Sequence, residues 1–267
     1  MAIATSASDA GMLRHVGEAK RLEALSLVRT GRLYDLGRVL DESVPVFPGR
    51  YFRQTLVTTA HHAGGSWITE VVSGTQQLGT HLDALSHLQG PDGVGYGGLG
   101  PSDLASDAGV THFGVETVPQ VVTRGWLVDV APLRTGDVIG LDAVAGIDPG
   151  LGDAVLFHTG WGAHWDDAER YLGGEPGPGL ELAEWLADRG VALTGCDTWS
   201  YGPQPPEDPA RPFVVPQTLN VEHGVFVVEN LDLSELAADG VREFALVLTH
   251  AKLRGATGAW TSPIALT

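Results

Sequence analysis

The hydrophobic positions of this chain fall into short apolar runs separated by amphipathic stretches. Two alternating stretches, Thr55–Thr59 and Trp67–Val72, predict a pair of strands. Gly179–Arg189 has the apolar spacing of a helix, and Leu233–Ala238 predicts a shorter one. Because strands and helices interleave to the end of the chain, the pattern predicts one α/β domain with a mixed sheet. The runs typical of buried strands are Trp126–Val130, Ala154–Phe157, Val191–Thr194, Val225–Val228 and Phe244–Leu248.

The N-terminal part of the chain has a helical pattern of its own. Between residues 9 and 30, apolar residues recur among charged ones at helical spacing. Gly31 follows, as a glycine that ends a helix would. We therefore predict a helical extension at residues 1–30 and a domain at residues 31–267.

Composition narrows the class of protein. Apolar residues make up 43% of the 267 residues and charged residues only 18%, which favours a folded core over disorder. Acidic residues number 33 against 16 basic ones, and a formal charge of -17 repels phosphate backbones and anionic lipid. We therefore exclude nucleic acid and membrane surfaces as partners. One cysteine and no long apolar segment lead us to expect a cytoplasmic protein.

The most polar motif of the chain is QQLGTHLDALSH, residues 76–87. If this segment were helical, His81 and Asp83 would point roughly 200° apart. If it is extended, Gln77, Gly79, His81 and Asp83 all face one side. Imidazole and carboxylate are ordinary ligands of a catalytic divalent metal, so the extended form predicts a metal site.

The end of the motif allows a second interpretation. Asp83 could cap a short helix beginning at Ala84 and would share a face with His87, four residues later. The residues alone therefore leave two hypotheses open. The motif is a metal site, or it is a polar loop held together by structural hydrogen bonds.

The same motif carries a family resemblance. GTHLDALSH resembles the signature HxGTHxDxPxH of the metal-dependent cyclase family, which includes bacterial kynurenine formamidases and isatin hydrolases. The resemblance covers roughly residues 31–267 and implies a single-domain swivelling β/β/α fold. The further segments similar to the family, in the same order, are Gly31–Gly49, Gly152–Trp161, Leu186–Ser200, His223–Leu236 and Gly255–Leu266.

The resemblance assigns roles to four retained residues. His81 and Asp83 match the family's metal-ligand positions. His87 matches the histidine that does acid–base work, and Glu229 matches the glutamate that faces the metal. We therefore predict His87 and Glu229 as catalytic residues. His87 retains a structural alternative, as a hydrogen-bond partner of Asp83.

Two positions depart from the family pattern. Gln77 stands where the signature has its first histidine, and Gln217 replaces a second histidine twelve residues before Glu229. Glutamine offers only a neutral amide oxygen, and oxygen-rich ligand sets suit Mn(II) better than Zn(II). We expect one divalent ion, Mn(II) before Zn(II), held by His81 and Asp83. Gln77 and Gln217 would either bind the ion themselves or lie directly behind the residues that do. A site that has lost its metal is the alternative.

With the roles that the resemblance implies, this set of residues predicts a metal-dependent hydrolase that cleaves an amide or ester carbonyl with a metal-activated water, and the family implies a lactone or cyclic amide. His87 would take the water proton and pass it to the leaving group, and Glu229 would orient the water. Two other functions stay open. One is a metal-assisted cyclase or lyase of secondary metabolism, and the other is a ligand-binding relative without turnover.

The substrate is predicted only by class. Trp67 and Trp199 lie in or beside segments similar to the family, and an aromatic-walled pocket suits a planar or cyclic small molecule. Packing in the core or in an interface is the alternative for both. Relatives are commonly oligomeric, so we also expect a homo-oligomer.

Overall fold

A computed structural model describes residues 9–62 and 65–267. The strands within these residues are β1 Leu33–Asp35, β2 Phe52–His62, β3 Gly65–Gly74, β4 His81–Asp83, β5 Ala105–Ser106, β6 Gly109–Val110, β7 Val121–Asp129, β8 Val138–Ile139, β9 Ala154–His158, β10 Gly177–Pro178, β11 Leu193–Cys196, β12 Phe226–Glu229, β13 Glu243–Leu248, β14 Gly258–Trp260 and β15 Ile264–Leu266. The α-helices are α1 Glu18–Leu25, α2 Pro101–Leu104, α3 Ala168–Leu172, α4 Leu180–Asp188, α5 Val214–Gln217 and α6 Ser234–Ala238.

A mixed sheet of nine strands organises the fold, in the order β1-β15-β13-β7-β9-β11-β12-β4-β14. The strands β7, β9, β11 and β12 are parallel to one another. The remaining strands extend both ends of this parallel centre in antiparallel pairing. The prediction of one α/β domain with a mixed sheet is confirmed, and each of the five apolar runs overlaps a strand of this sheet.

The central strands are buried on both faces, which is why they appear in the sequence as unbroken apolar runs. In β12, Phe226 and Val228 pack into one core cluster and Val227 packs into the other. The second cluster is covered by α4 through its buried residues Leu182, Ala183 and Leu186. Alternation along β12 therefore places Glu229 on the same face as Val227.

The N-terminal segment packs on this sheet. The predicted helix between residues 9 and 30 is divided into a 3₁₀ helix at Gly11–His15 and α1, because Gly17 between them is extended. Leu13 is buried in the main core cluster. Lys20 of α1 forms an ion pair with Asp153, whose side chain is completely buried.

The predicted pair of strands is the hairpin β2–β3, which forms a separate two-stranded sheet. Both of its faces expose apolar side chains, including Leu56 and Ile68 on one face and Val57 and Val71 on the other. None of the helices in the described part of the chain is long and apolar enough to cross a bilayer.

Candidate metal centre

Strand register brings three side chains to one point of the sheet. In the antiparallel pair β4–β12, His81 lies opposite Glu229 and Asp83 lies opposite Val227. Because side chains alternate along a strand, His81, Asp83 and Glu229 share a face, whereas Leu82 points into the core on the other. One ligand atom from each of the three residues lies within 4.8 Å of the other two.

The geometry of this cluster fits a bound cation. Nε2 of His81 lies 3.5 Å from Oδ1 of Asp83 and 3.3 Å from Oε2 of Glu229. Nε2 of His81 and Oδ1 of Asp83 are buried, and neither has a hydrogen-bond partner among the described residues. A buried polar atom without a partner costs about 1–3 kcal/mol, so these two acceptors favour a bound ligand. A divalent ion satisfies both.

Hydrogen bonding fixes which nitrogen of His81 is available. Nδ1 lies 2.8 Å from the carbonyl oxygen of Gly79. A carbonyl only accepts, so Nδ1 carries the proton and Nε2 presents its lone pair to the carboxylates. Burial lowers the pKa of His81, with partial compensation from Asp83, and so favours the neutral imidazole. A neutral imidazole with a free Nε2 is the form that binds metals.

The carboxylate of Glu229 is destabilised in this protein environment. Burial raises the pKa of Glu229 well above its usual range, and the neighbouring carboxylate of Asp83 raises it further. A divalent cation between the two groups would reverse this cost, because it favours the ionised form of each. The electrostatics of the cluster therefore agree with its geometry.

The segment before β4 is not extended as predicted. β4 begins only at His81, and Gly79 has a φ of +56°, in the left-handed region. This conformation favours glycine, and a Cβ here would also force the side chain of Leu40 to move. The prediction that Gln77 shares the strand face with His81 and Asp83 was wrong for this reason.

Gln77 nevertheless lies next to the cluster. Its side chain is buried, and its Nε2 donates to Oγ1 of Thr257 at 2.9 Å. A Cβ built on Gly258 would lie 2.7 Å from Nε2 of Gln77 and 3.6 Å from Oδ1 of Asp83. The amide of Gln77 and the carboxylate of Asp83 therefore both lie close to Gly258.

Gln217 is the last residue of α5, at the junction with a π-helix at Thr218–Glu222. Its Nε2 donates to the carbonyl oxygen of Gln89 at 2.8 Å. This bond ties α5 to the segment two residues after His87. Its neighbour Pro216 lines the cavity described below.

Asn230 fixes the end of β12 and with it the position of Glu229. It adopts a φ of +57°, which asparagine tolerates better than most residues. Its N–H donates to the carbonyl of Thr198 at 2.8 Å, and its carbonyl accepts from the hydroxyl of Thr80 at 2.7 Å. Its Oδ1 accepts from the hydroxyl of Tyr171 at 2.8 Å. These bonds hold Glu229 next to the segment that leads into His81.

A cavity of about 180 Å³ lies over the cluster and gives Asp83 and Glu229 access to a ligand. Its wall is largely apolar, as is usual for small-molecule sites. The apolar side chains that line it are Phe47, Leu88, Trp199, Phe213 and Pro216, and the polar ones are Arg50, Asp83, His87, Ser200 and Glu229.

His87 lies on the wall of this cavity. Its Nε2 is 4.0 Å from Oδ1 of Asp83. The short helix expected after Asp83 does not form. A single turn is present instead, closed by the His87 N–H donating to the carbonyl of Ala84 at 3.0 Å. The turn leaves the imidazole 21% exposed, so it is within reach of both the cluster and the solvent.

The two tryptophans predicted to bind substrate lie in different places. Trp199 lines the cavity with its ring centroid 5.5 Å from that of Phe47. Its buried Nε1 has no acceptor among the described residues, so a ligand oxygen could pair with it. Trp67 lies on β3 with 49% of its surface exposed and is not among the residues that line this cavity. The structure therefore gives no support to Trp67 in this pocket.

Glu175 supports the pocket from behind. Its buried carboxylate accepts hydrogen bonds from the N–H groups of Trp199, at 2.6 Å, and Ser200, at 3.0 Å, and from the hydroxyl of Ser200. Burial raises the pKa of Glu175 to about 8, although each of these donors favours the charged form. This carboxyl group fixes the loop that presents Trp199 to the cavity.

Sequence reasoning missed Arg50, Phe47 and Glu175. Phe47 and Arg50 flank Pro48 and Gly49, and only the structure shows that both line the cavity. Glu175 follows a pair of glycines and gave no signal, because only the structure shows that it is buried.

Comparison with known proteins agrees with this fold. A crystal structure of a novel cyclase superposes with a TM-score of 0.88 at 26% identity, covering 97% of this chain and 94% of that one. Isatin hydrolase A from Labrenzia aggregata, bound to benzyl benzoate, gives 0.69 at 21%, covering 88% and 93%. A predicted metal-dependent hydrolase from Bacillus stearothermophilus gives 0.60 at 21%, covering 88% and 97%.

No curated protein matches the sequence. At 21% identity, the likeness to these two hydrolases shows only that the fold is shared. The family model described as "Putative cyclase" matches residues 34–203, which is more than half of the chain and includes the segment that bears His81, Asp83 and His87. The chain therefore belongs to this cyclase family.

Proposed function

We propose that the protein is a metal-dependent hydrolase that cleaves the amide or ester carbonyl of a small molecule. The observation that carries this proposal is the buried cluster of His81, Asp83 and Glu229, which lies beside a cavity containing His87. Its ligand set of one imidazole and two carboxylates suits a divalent ion, with Mn(II) before Zn(II). Such an ion, when bound, polarises a carbonyl and lowers the pKa of a water molecule next to it.

His87 is the general base and acid of the proposed reaction. Water adds its oxygen to the carbonyl carbon, and the C–N or C–O bond to the leaving group breaks. His87 accepts the proton from water and delivers it to the departing nitrogen or oxygen, which balances the hydrolysis. Glu229 shares the cluster and the cavity, so it orients the water as well as contributing to the ligand set.

The cavity wall selects the body of the substrate. Phe47 and Trp199 form a tilted aromatic pair, and Phe213 and Leu88 also line the cavity. Flat rings pack well against such surfaces. We therefore propose an aromatic or cyclic substrate, such as a lactone, a cyclic amide or an N-formyl aniline.

A substrate panel tests this function. Protein loaded with Mn(II) or with Zn(II) is assayed on lactones, cyclic amides and N-formyl anilines in water enriched in ¹⁸O. Hydrolysis incorporates one solvent oxygen into the product. A condensation that releases water without incorporating label would instead support the cyclase or lyase alternative.

We also retain the homo-oligomer as a proposal. The hairpin β2–β3 exposes apolar side chains on both faces, and a two-stranded hairpin is marginally stable without further packing. Light scattering coupled to size exclusion measures the assembly directly. A mass equal to that of one chain would contradict the proposal.

A further inference from the structure

Arg50 lies on the wall of the cavity described above, together with Asp83, His87 and Glu229. It is the permanently charged cation among the residues that line this space, in a chain whose net charge is -17. The aromatic side chains of Phe47 and Trp199 border the same cavity, so a guanidinium and an apolar surface face the same space.

Two contacts fix the guanidinium in place. Its Nη1 donates to the carbonyl oxygen of Gln77 at 2.6 Å, and its central carbon lies 5.7 Å from the ring centroid of Phe47. Arg50 is absent from the ion pairs formed by the described residues. One of its five N–H donors is used by a neutral carbonyl, and its charge also acts on the nearby carboxyl of Glu229 without forming an ion pair with it.

The charge balance of the site then depends on the metal. A divalent ion offsets the two carboxylates of Asp83 and Glu229, and His81 contributes a neutral imidazole. The charge of Arg50 remains, in a cavity with largely apolar walls where such a charge attracts an anion strongly. Guanidinium groups match the two oxygens of a carboxylate in geometry as well as in charge.

We propose that Arg50 binds a carboxylate on the substrate. The inference rests on the proposed hydrolase function and narrows it. The substrate class is an aromatic or cyclic amide or ester that carries a carboxylate group, with the ring against Phe47 and Trp199 and the reacting carbonyl at the cluster. Arg50 is thus a specificity-determining residue, and its contact with Gln77 positions it for this task.

A binding experiment with two probes tests the inference without relying on turnover. Benzoate and benzamide have the same ring and similar size, and only benzoate carries a charge. Their affinities for Mn(II)-loaded protein are measured by calorimetry in the wild type and in Arg50→Gln and Arg50→Lys. Arg53→Gln is the matched control, because Arg53 is an exposed arginine three residues away that contacts the ring of Tyr51.

We expect the wild type and Arg53→Gln to bind benzoate about tenfold more tightly than benzamide, because a guanidinium stabilises a hydrogen-bonded carboxylate more than a neutral amide. Arg50→Gln should weaken benzoate about tenfold and leave benzamide within about twofold. Arg50→Lys keeps the positive charge and should retain part of the preference for benzoate over benzamide. Melting temperatures of both variants show whether either of them is misfolded.

Three results would overturn the proposal. Benzoate binding that survives in Arg50→Gln means that its carboxylate is held elsewhere, for example on the metal. Equal loss of both probes in both variants means that Arg50 only supports the Gln77 carbonyl. If the wild type binds benzoate and benzamide equally well, the cavity has no site for an anion. Failure of the hydrolase function is distinguishable, because it would appear as Arg50-dependent benzoate binding in a protein that hydrolyses none of the panel.

Discussion

Glu229 lies directly opposite His81 in the antiparallel pair of β12 and β4, and its Oε2 is 3.3 Å from Nε2 of His81. This relationship is set by backbone register, and the residues are 148 positions apart in the sequence. A register shift of one residue would turn the side chain of Glu229 to the opposite face of the sheet, away from His81. The left-handed Asn230 and its bonds to Thr80 and Thr198 maintain that register.

Replacing His87 should separate chemistry from metal binding. His87→Gln removes the proton carrier and leaves His81, Asp83 and Glu229 in place. We expect kcat to fall by about 10²–10⁴-fold with the metal content unchanged. His112→Gln, at an exposed histidine outside the cavity, is the control and should retain full activity. Equal activity of the two variants would assign His87 a structural role.

Restoring an imidazole at Gln77 should change the choice of metal. Gln77→His places a stronger zinc donor close to Gly258, which also lies near the carboxylate of Asp83, so the affinity for Zn(II) should rise about tenfold relative to Mn(II). Competitive titration with a fluorescent chelator measures both affinities. Gln54→His, on the exposed hairpin, controls for nonspecific binding by an added histidine. An unchanged metal preference would place Gln77 outside the metal's environment.

The buried carboxyl of Glu175 should make stability depend on pH. Its pKa is about 8 in the folded protein against an ordinary value of 4.5, so the folded state holds the proton more tightly. The stabilisation is complete below about pH 4.5 and is lost as the pH rises through about 8. The effect is on the order of a few kcal/mol.

Glu175→Gln removes the titrating group and so isolates its contribution to the pH dependence of stability. Urea unfolding at pH 5, 7 and 9 gives the free energy of unfolding for both proteins. The decrease between pH 5 and pH 9 should be larger in the wild type than in Glu175→Gln. Parallel profiles would show that Glu175 has the same pKa in the folded and unfolded states.

The aromatic wall should contribute to substrate binding through one tryptophan more than the other. Trp199→Ala removes the ring that pairs with Phe47, so KM should rise about tenfold or more, the equivalent of about 1.4 kcal/mol of lost contact. Trp67→Ala is a matched substitution on the exposed hairpin and should leave KM within about twofold. Steady-state kinetics on one substrate from the panel compares them, and equal increases would return Trp67 to the binding site.

Much of this fold could be predicted from the sequence, because local patterns determined it. The runs that became β7, β9 and β13 were predicted from apolar content alone, since strands buried on both faces need no alternation. The shared face of His81 and Asp83 followed from the two-residue period of a strand.

Other features depend on contacts between distant parts of the chain. Gly79 packs against Leu40, which lies 39 residues earlier in the chain, and Arg50 reaches the cavity with its guanidinium beside the ring of Phe47. Glu175 is recognisable only once its burial is known. Neither hydrophobic period nor motif spacing carries this information, so these residues had to come from the structure.

Metal stoichiometry is the most direct test of the central claim. Wild-type protein, His81→Ala, Asp83→Asn and the exposed control Asp142→Asn are stripped with chelator, reloaded with Mn(II) or Zn(II), desalted and measured by mass spectrometry, with circular dichroism to verify folding. We predict about one ion per chain in the wild type and Asp142→Asn, and less than about a tenth of that in folded His81→Ala and Asp83→Asn. A wild type that retains no metal, or an Asp83→Asn variant that retains it fully, would contradict the account.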